Sequence, residues 1–178
     1  MNYAGIIKND VVNGRGVCVS FWCQGCPHRC NGCHNPETWD FNYGKELFDE
    51  DVLIEYILNL ISKNGIQRNL SILGGEPLCK ENIQFVIKLM TMAKDVYPTI
   101  KIFLWSGYTI EEIIKMEQSS YFLTLIDVLI DGKYKEEQRD VSLALRGSTN
   151  QRIIDIKNSI ELGALVLYEC NKTKEIRL

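Results

Sequence analysis

Three cysteines fall within eight residues of this chain, in the order Cys26-Pro-His-Arg-Cys30-Asn-Gly-Cys33. Three thiolates in one tight CxxxCxxC loop can bind three irons of a [4Fe–4S] cluster and leave the fourth iron without a protein ligand. Such an iron is open to chemistry, whereas a cluster closed by four cysteines mostly transfers electrons. The spacing therefore favours a catalytic cluster.

Cys23 adds a candidate fourth ligand, because Cys23-Gln-Gly-Cys26 and Cys30-Asn-Gly-Cys33 form two CxxC pairs. A four-cysteine zinc site uses such pairs, but zinc ribbons and fingers usually place about 12–20 residues between them. Bacterial ferredoxin loops have a different order of gaps. Spacing alone favours the open cluster and leaves zinc, a closed cluster and a thiol–disulfide pair of Cys23 with Cys26 as alternatives.

The remaining cysteines of the seven, Cys18, Cys79 and Cys170, lie apart from the loop. A secreted disulfide framework would usually show an even count, a smaller domain and an export signal. The start of the chain lacks the charged flank and apolar run of a signal peptide, and no stretch approaches the ~20 apolar residues of a membrane span. We therefore expect a cytoplasmic protein, without a membrane partner, in which these three cysteines are small buried residues with no chemical role.

Length and charge limit the organisation and the partners. A chain of 178 residues with 46% hydrophobic residues suits a single domain, which we expect to span residues 1–178. The polar tail from Asn171 to Leu178 is expected to be loosely ordered. The net charge of −3 and the lack of a long basic run give no reason to expect nucleic-acid binding.

Hydrophobic patterning predicts strands that alternate with helices. The predicted strands are residues 17–22, 70–73, 100–105, 125–130, 152–156 and 164–168, and the predicted helices are residues 49–63, 81–96 and 109–118. This alternation indicates an α/β fold with parallel strands, and function is then expected in the loops at the carboxyl ends of the strands. The cysteine loop directly follows the first of these predicted strands.

A second motif, Gly74-Gly75-Glu76-Pro77, follows the predicted strand at residues 70–73. Two glycines let the backbone approach a ligand closely, because neither carries a Cβ, and Glu76 supplies a carboxylate beside them. Alone, this motif is more typical of an ordinary turn. One strand–helix unit after a CxxxCxxC loop, it becomes far more specific.

With both motifs in place, the sequence resembles the radical S-adenosylmethionine (SAM) superfamily and, within it, the activating proteins of anaerobic ribonucleoside-triphosphate reductase. Five further ordered matches support the resemblance, and the segment after Ile153 matches less distinctively. The further matches are Val12-Asn-Gly-Arg-Gly16, Thr38-Trp39, Trp105-Ser-Gly-Tyr108, Asp131-Gly-Lys-Tyr134 and Arg146-Gly-Ser-Thr-Asn-Gln151.

The resemblance implies a partial (βα) barrel of parallel strands with one [4Fe–4S] cluster on Cys26, Cys30 and Cys33. It implies that SAM chelates the fourth iron, next to Gly32, Cys33 and His34, and that its methionine end meets Gly74, Gly75 and Glu76. Reductive cleavage of SAM would give a 5′-deoxyadenosyl radical, which removes a hydrogen from a glycine in the large subunit of the reductase. Flavodoxin is the typical electron donor where the resemblance applies.

The sequence also indicates positions for residues outside the two motifs. We expect Lys133, Arg146 and Asn150 near the SAM site or the docking face. His28 is expected to pack in the loop or at the surface rather than bind metal, and Trp22 to pack in the core.

Activation of another glycyl radical enzyme, such as pyruvate formate-lyase, and a zinc-stabilised binding module remain the alternative functions.

Overall fold

The computed structural model describes residues 1–169. Its strands are β1 (Asn2–Asp10), β2 (Cys18–Cys23), β3 (Lys45–Glu46), β4 (Asn69–Gly74), β5 (Ile102–Trp105), β6 (Val128–Asp131) and β7 (Arg152–Asp155). Its α-helices are α1 (Glu50–Ile61), α2 (Ile83–Val96), α3 (Ile110–Ile113), α4 (Ser119–Leu125) and α5 (Ile156–Leu162). Short 3₁₀ turns cover Pro36–Thr38, Lys63–Gly65 and Glu136–Gln138. The predicted tail from Asn171 to Leu178 and the predicted burial of Cys170 lie outside the described residues.

The seven strands form one mixed sheet in the order β3-β1-β2-β4-β5-β6-β7. The four central strands are parallel, with Cys23 of β2 beside Gly74 of β4 and Leu104 of β5 beside Leu129 of β6. This confirms the predicted α/β class and places the cysteine loop and the Gly-Gly-Glu-Pro loop at the same edge of the sheet. The outer strands β1, β3 and β7 pair antiparallel, which the strand–helix alternation did not indicate.

The two faces of the sheet are covered by different parts of the chain. Neighbouring residues of a strand point to opposite faces. Alternate residues such as Phe21, Ile72 and Leu104 pack with the helices in the main core. The opposite face has a smaller cluster of Phe103, Val128, Ile130 and Ile153. Loops cover this second face: the Ser71 hydroxyl donates to the carbonyl of Asn13, in the loop after β1.

The helix termini follow local side-chain chemistry. Asp49 caps α1 by accepting hydrogen bonds from the backbone N–H groups of Asp51 and Val52. A capping box of Thr109 and Glu112 is present at the start of α3. These contacts set where α1 and α3 begin.

Three sequence predictions were wrong in detail. The helix predicted at residues 109–118 is only the short α3, Ile110–Ile113. Residues 119–125 form helix α4, so the strand predicted from residue 125 begins only at Val128. The strand predicted at residues 164–168 is reduced to an isolated bridge between Leu167 and Ile154.

Within residues 1–169, the structure contains no helix that could cross a membrane.

Candidate active site

The cysteine loop leaves the sheet directly after β2, at the carboxyl edge of the parallel strands. Two backbone hydrogen bonds anchor its start: Gly25 N–H donates to the Thr38 carbonyl at 2.8 Å, and Cys26 N–H donates to the Trp39 carbonyl at 3.1 Å. Cys26, Cys30 and Cys33 are all partly buried. The loop therefore presents three thiols on a short, anchored turn.

Backbone N–H groups surround the three sulfurs. The amides of His28 and Arg29 hydrogen-bond Cys26, and the amide of Asn35 lies 3.5 Å from Cys33 Sγ. Such N–H···S contacts stabilise electron-rich sulfur and tune a cluster's potential. The Gly25 amide is not one of these donors, because it donates to the Thr38 carbonyl.

The segment after β6 supplies a further donor. The amide of Tyr134 hydrogen-bonds the thiol of Cys30, and the rings of Tyr134 and His34 lie 5.1 Å apart. Gly32 approaches the Glu136 side chain so closely that a Cβ at Gly32 would lie 2.1 Å from its Oε2. The segment at residues 134–136 therefore packs directly on the cysteine loop.

Burial favours the protonated form of two of the loop thiols, those of Cys26 and Cys30. It raises the pKa of Cys26 to about 11, against the hydrogen bonds from His28 and Arg29, and it also raises the pKa of Cys30. Metal-bound cysteines are thiolates, so loading of this loop releases protons.

Cys23 belongs to the core rather than to the loop. It is fully buried among the apolar residues that pack on the helices, and burial raises its pKa well above the ordinary value. Cys18 and Cys79 are buried too, as predicted. Among residues 1–169, no three His, Cys, Asp or Glu side chains are grouped to hold a single metal ion. A [4Fe–4S] cluster takes one thiolate per iron, so its ligands do not have to converge on one point.

The two glycines after β4 allow its backbone to pack against the start of the cysteine loop. Gly75 N–H donates to the Cys23 carbonyl and Glu76 N–H to the Gly25 carbonyl, both at 2.8 Å. A Cβ at Gly75 would lie 2.3 Å from the Gly25 carbonyl oxygen, and Gly74 has a φ of +102°. These positions require glycine because two backbones meet here.

Glu76 is 1% exposed, and its carboxylate has four hydrogen-bond partners within the protein. One oxygen accepts from Leu78 N–H at 2.9 Å and from the Ser106 hydroxyl at 2.8 Å. The other accepts from Gly107 N–H at 2.7 Å and lies 2.8 Å from His28 Nε2. The sequence placed His28 in the loop or at the surface, and the structure confirms the loop position by burying the ring. Contact of Glu76 with SAM stays a prediction.

A cavity of about 470 Å³ opens beside the loop. It brings together several residues that the sequence singled out, and it adds aromatic residues that the sequence analysis had not assigned to a site. Its lining includes Cys33, His34, Gly74, Arg146, Trp22, Trp105 and Tyr134. Trp22, which we expected in the core, is thus only partly buried and borders the cavity. Its strand position next to the loop was the sequence signal for this role.

Two buried donors at the cavity have no partner among the described residues: the indole Nε1 of Trp22 and the Nε of Arg146. Arg146 also donates through Nη1 to the Gln151 carbonyl at 2.6 Å, which fixes the side chain. Asn150 is not among the residues that line this cavity. Its side-chain amide donates to the Lys133 carbonyl at 2.8 Å, which connects two loops. An anionic ligand would satisfy the two unpaired donors.

Comparison with known proteins identifies the cofactor. The family model for a 4Fe–4S single cluster domain matches residues 12–154. The chain is 40% identical to the anaerobic ribonucleoside-triphosphate reductase-activating protein of Haemophilus influenzae, over 86% of this chain and 97% of that protein. The chain belongs to this family of activating proteins.

Other members of the family are similarly close. The activating protein of Vibrio cholerae is 38% identical over 86% of this chain and 97% of its own length. That of Enterobacteria phage T4 is 39% identical over 86% of this chain and 93% of its own length. Membership shows a [4Fe–4S] cluster as the cofactor, so the zinc module that cysteine spacing alone had left open is not favoured.

Proposed function

We propose that this chain activates anaerobic ribonucleoside-triphosphate reductase by generating a glycyl radical on its large subunit. The observation that supports this most directly is the cysteine loop at the carboxyl edge of the sheet, whose Cys33 borders a cavity shared with His34, Gly74 and Arg146. Membership in the family of activating proteins names the reductase as the target.

The residues of the loop fit a cluster with one open iron. Cys26, Cys30 and Cys33 would bind three irons, while the amides of His28, Arg29, Tyr134 and Asn35 donate to their sulfurs. Cys23 is buried in the core and Cys18 and Cys79 are buried too, so within residues 1–169 no further cysteine is exposed to serve as a fourth ligand. When bound, the cluster and SAM supply the reductive cleavage that yields a 5′-deoxyadenosyl radical.

The cavity residues would bind and orient SAM. Cys33, His34 and Gly74 border the cavity, and Gly32, Gly75 and Glu76 lie in the same two loops. The unpaired N–H groups of Trp22 and Arg146 are suited to the carboxylate of its methionine part. The aromatic walls of Trp22, Trp105 and Tyr134 would exclude water from a reactive radical.

For this function we propose that the sheet forms a partial (βα) barrel. Residues 1–178 would then form a single domain. Helices cover its outer face, while the loops after β1 and β6 lie on the inner face. A glycine-bearing loop of the reductase would enter at this open side. A flavodoxin-type donor would supply the electron.

An anaerobic reconstitution experiment tests the proposal. The protein is loaded with iron and sulfide, reduced, and mixed with SAM and either the reductase or pyruvate formate-lyase. We expect a glycyl radical signal in electron paramagnetic resonance (EPR) with the reductase only. A signal only with pyruvate formate-lyase would change the substrate, and a colourless protein with one bound zinc would refute the proposal.

A further inference from the structure

His28 is the side chain of the cysteine loop that turns into the protein. It lies between Cys26 and Cys30, and its neighbours Pro27 and Arg29 are exposed. The side chain of His28 is only 6% exposed, and its ring packs edge-on against Tyr108 with the centroids 4.5 Å apart. Nothing in the proposed cluster or SAM contacts uses this ring.

The pocket that receives the ring is made by the loop after β5. A Cβ at Gly107 would lie 2.3 Å from His28 Cδ2, so only glycine leaves room for the imidazole at this point. Tyr108 closes one side of this pocket. The imidazole of His28 therefore occupies a pocket that fits its shape. A side chain that is buried only to avoid solvent does not require such a pocket.

The inner end of the pocket is the Glu76 carboxylate. Its Oε2 accepts from Gly107 N–H, and its Oε1 accepts from Leu78 N–H and the Ser106 hydroxyl. Because the oxygen facing His28 acts as an acceptor, the ring must carry a proton on Nε2 to bond it at 2.8 Å. One carboxylate thus joins the loops that follow β2, β4 and β5.

We propose that His28 is a positioning residue: its hydrogen bond to Glu76 clamps the cysteine loop onto the ends of β4 and β5. The clamp fixes where the three thiolates stand relative to the cavity that borders Gly74 and Arg146. The role within catalysis rests on the proposed function, but the clamp itself is a property of the folded chain and can be tested without a cofactor.

Three variants separate the hydrogen bond from the ring. His28→Phe keeps a ring against Tyr108 and removes the donor, whereas His28→Gln keeps an N–H that can reach Glu76. Tyr97→Phe is the matched control, because it deletes the side-chain hydrogen bonds of Tyr97 to Leu58 and Ser62, between α1 and the end of α2. The loss of these Tyr97 hydrogen bonds should lower the stability of the fold without moving the cysteine loop.

The first measurement uses the metal-free full chain. Arg29 is exposed and next to His28, so trypsin cleavage after Arg29 reports how tightly the loop is held. We expect His28→Phe to be cleaved about tenfold faster than the unsubstituted chain, the effect of losing one hydrogen bond to a charged group. His28→Gln and Tyr97→Phe should be cleaved within about threefold of the unsubstituted rate.

The second measurement uses the loaded protein. After anaerobic reconstitution, we expect His28→Phe to bind SAM about tenfold more weakly and to show a smaller SAM-induced change in the EPR spectrum of the reduced cluster. His28→Gln should restore both.

Equal cleavage of the unsubstituted and His28→Phe chains would overturn the clamp, as would His28→Gln behaving like His28→Phe. If the unsubstituted protein builds a cluster that ignores SAM, the proposed function fails, while the cleavage rates still judge the clamp.

Discussion

The backbone N–H of Tyr134 hydrogen-bonds the thiol of Cys30, which joins the loop after β6 to the cysteine loop after β2. The neighbouring Lys133 is exposed, and its positive charge opposes the rise that burial causes in the pKa of Cys30. Both groups favour negative charge on the sulfur. The loop after β6 therefore helps to set the electrostatics of the candidate cluster site.

Replacing Lys133 should make the cluster harder to reduce, because its charge stabilises the more negative, reduced form. We expect Lys133→Gln to lower the reduction potential by roughly 10–40 mV, the size expected for one solvent-exposed charge. An EPR-monitored redox titration measures this shift. Lys135→Gln removes the same charge from the same exposed segment and should have a smaller effect; equal shifts would assign the effect to net charge alone.

Serine at Cys30 and alanine at Cys23 should have opposite consequences. Cys30→Ser removes a proposed iron ligand, so the reconstituted protein should lose its cluster, as iron and sulfide analysis would show. Cys23→Ala should retain the cluster and lose about 1 kcal/mol of stability, because it only truncates a buried core side chain. Loss of iron in Cys23→Ala would make Cys23 a ligand.

Removal of the Arg146 guanidinium should weaken SAM binding. Its Nε is buried at the cavity without a protein partner, so an anionic ligand gains a charge-assisted hydrogen bond there. We expect Arg146→Ala to bind SAM about tenfold more weakly in equilibrium dialysis, with a matching loss of reductase activation. Arg139→Ala, an exposed arginine of the same segment, is the control. Unchanged SAM cleavage and activation in Arg146→Ala would refute its assignment.

Alanine at Gly75 should destabilise the metal-free chain. Its Cβ would lie 2.3 Å from the backbone oxygen of Gly25, and neither backbone can move without breaking the hydrogen bonds between the two loops. We expect a loss of at least ~2 kcal/mol in urea-induced unfolding. Gly5→Ala places a Cβ where no atom lies within 4 Å and should be close to neutral. Similar stabilities of the two variants would contradict this packing.

The ion pair at the start of α3 should make a small, pH-dependent contribution. A hydrogen bond from Arg152 lowers the pKa of Glu111 to about 2, from an ordinary 4.5. The stabilisation is thus fully present above about pH 4.5 and disappears as the pH falls through about 2. Because Glu111 is mostly exposed, we expect Glu111→Gln to cost less than ~1 kcal/mol at pH 7. Thermal unfolding at several pH values should show this difference shrink as the pH falls from about 4.5 towards about 2. A difference as large at pH 2 as at pH 7 would exclude the ion pair as its source.

Local patterns predicted much of the framework correctly. The helices α1 and α2 and the strands β2 and β4 follow from hydrophobic periodicity, which acts between near neighbours. β1 was missed because it is partly exposed along most of its length and lacks a clear alternation. The late segment at residues 164–168 is apolar, but it makes only one bridge.

The sequence by itself determined the chemistry, since the spacing of Cys26, Cys30 and Cys33 and the glycines after β4 are properties of short, continuous segments. Only the tertiary structure decided that His28 binds Glu76, that Tyr134 donates to Cys30 and that Trp22 borders the cavity. The first two contacts join loops far apart in the chain, and the cavity beside Trp22 is lined by residues from several such loops. They arise because parallel strands bring their carboxyl ends to one edge, where the closest neighbours are set by strand order rather than by sequence distance.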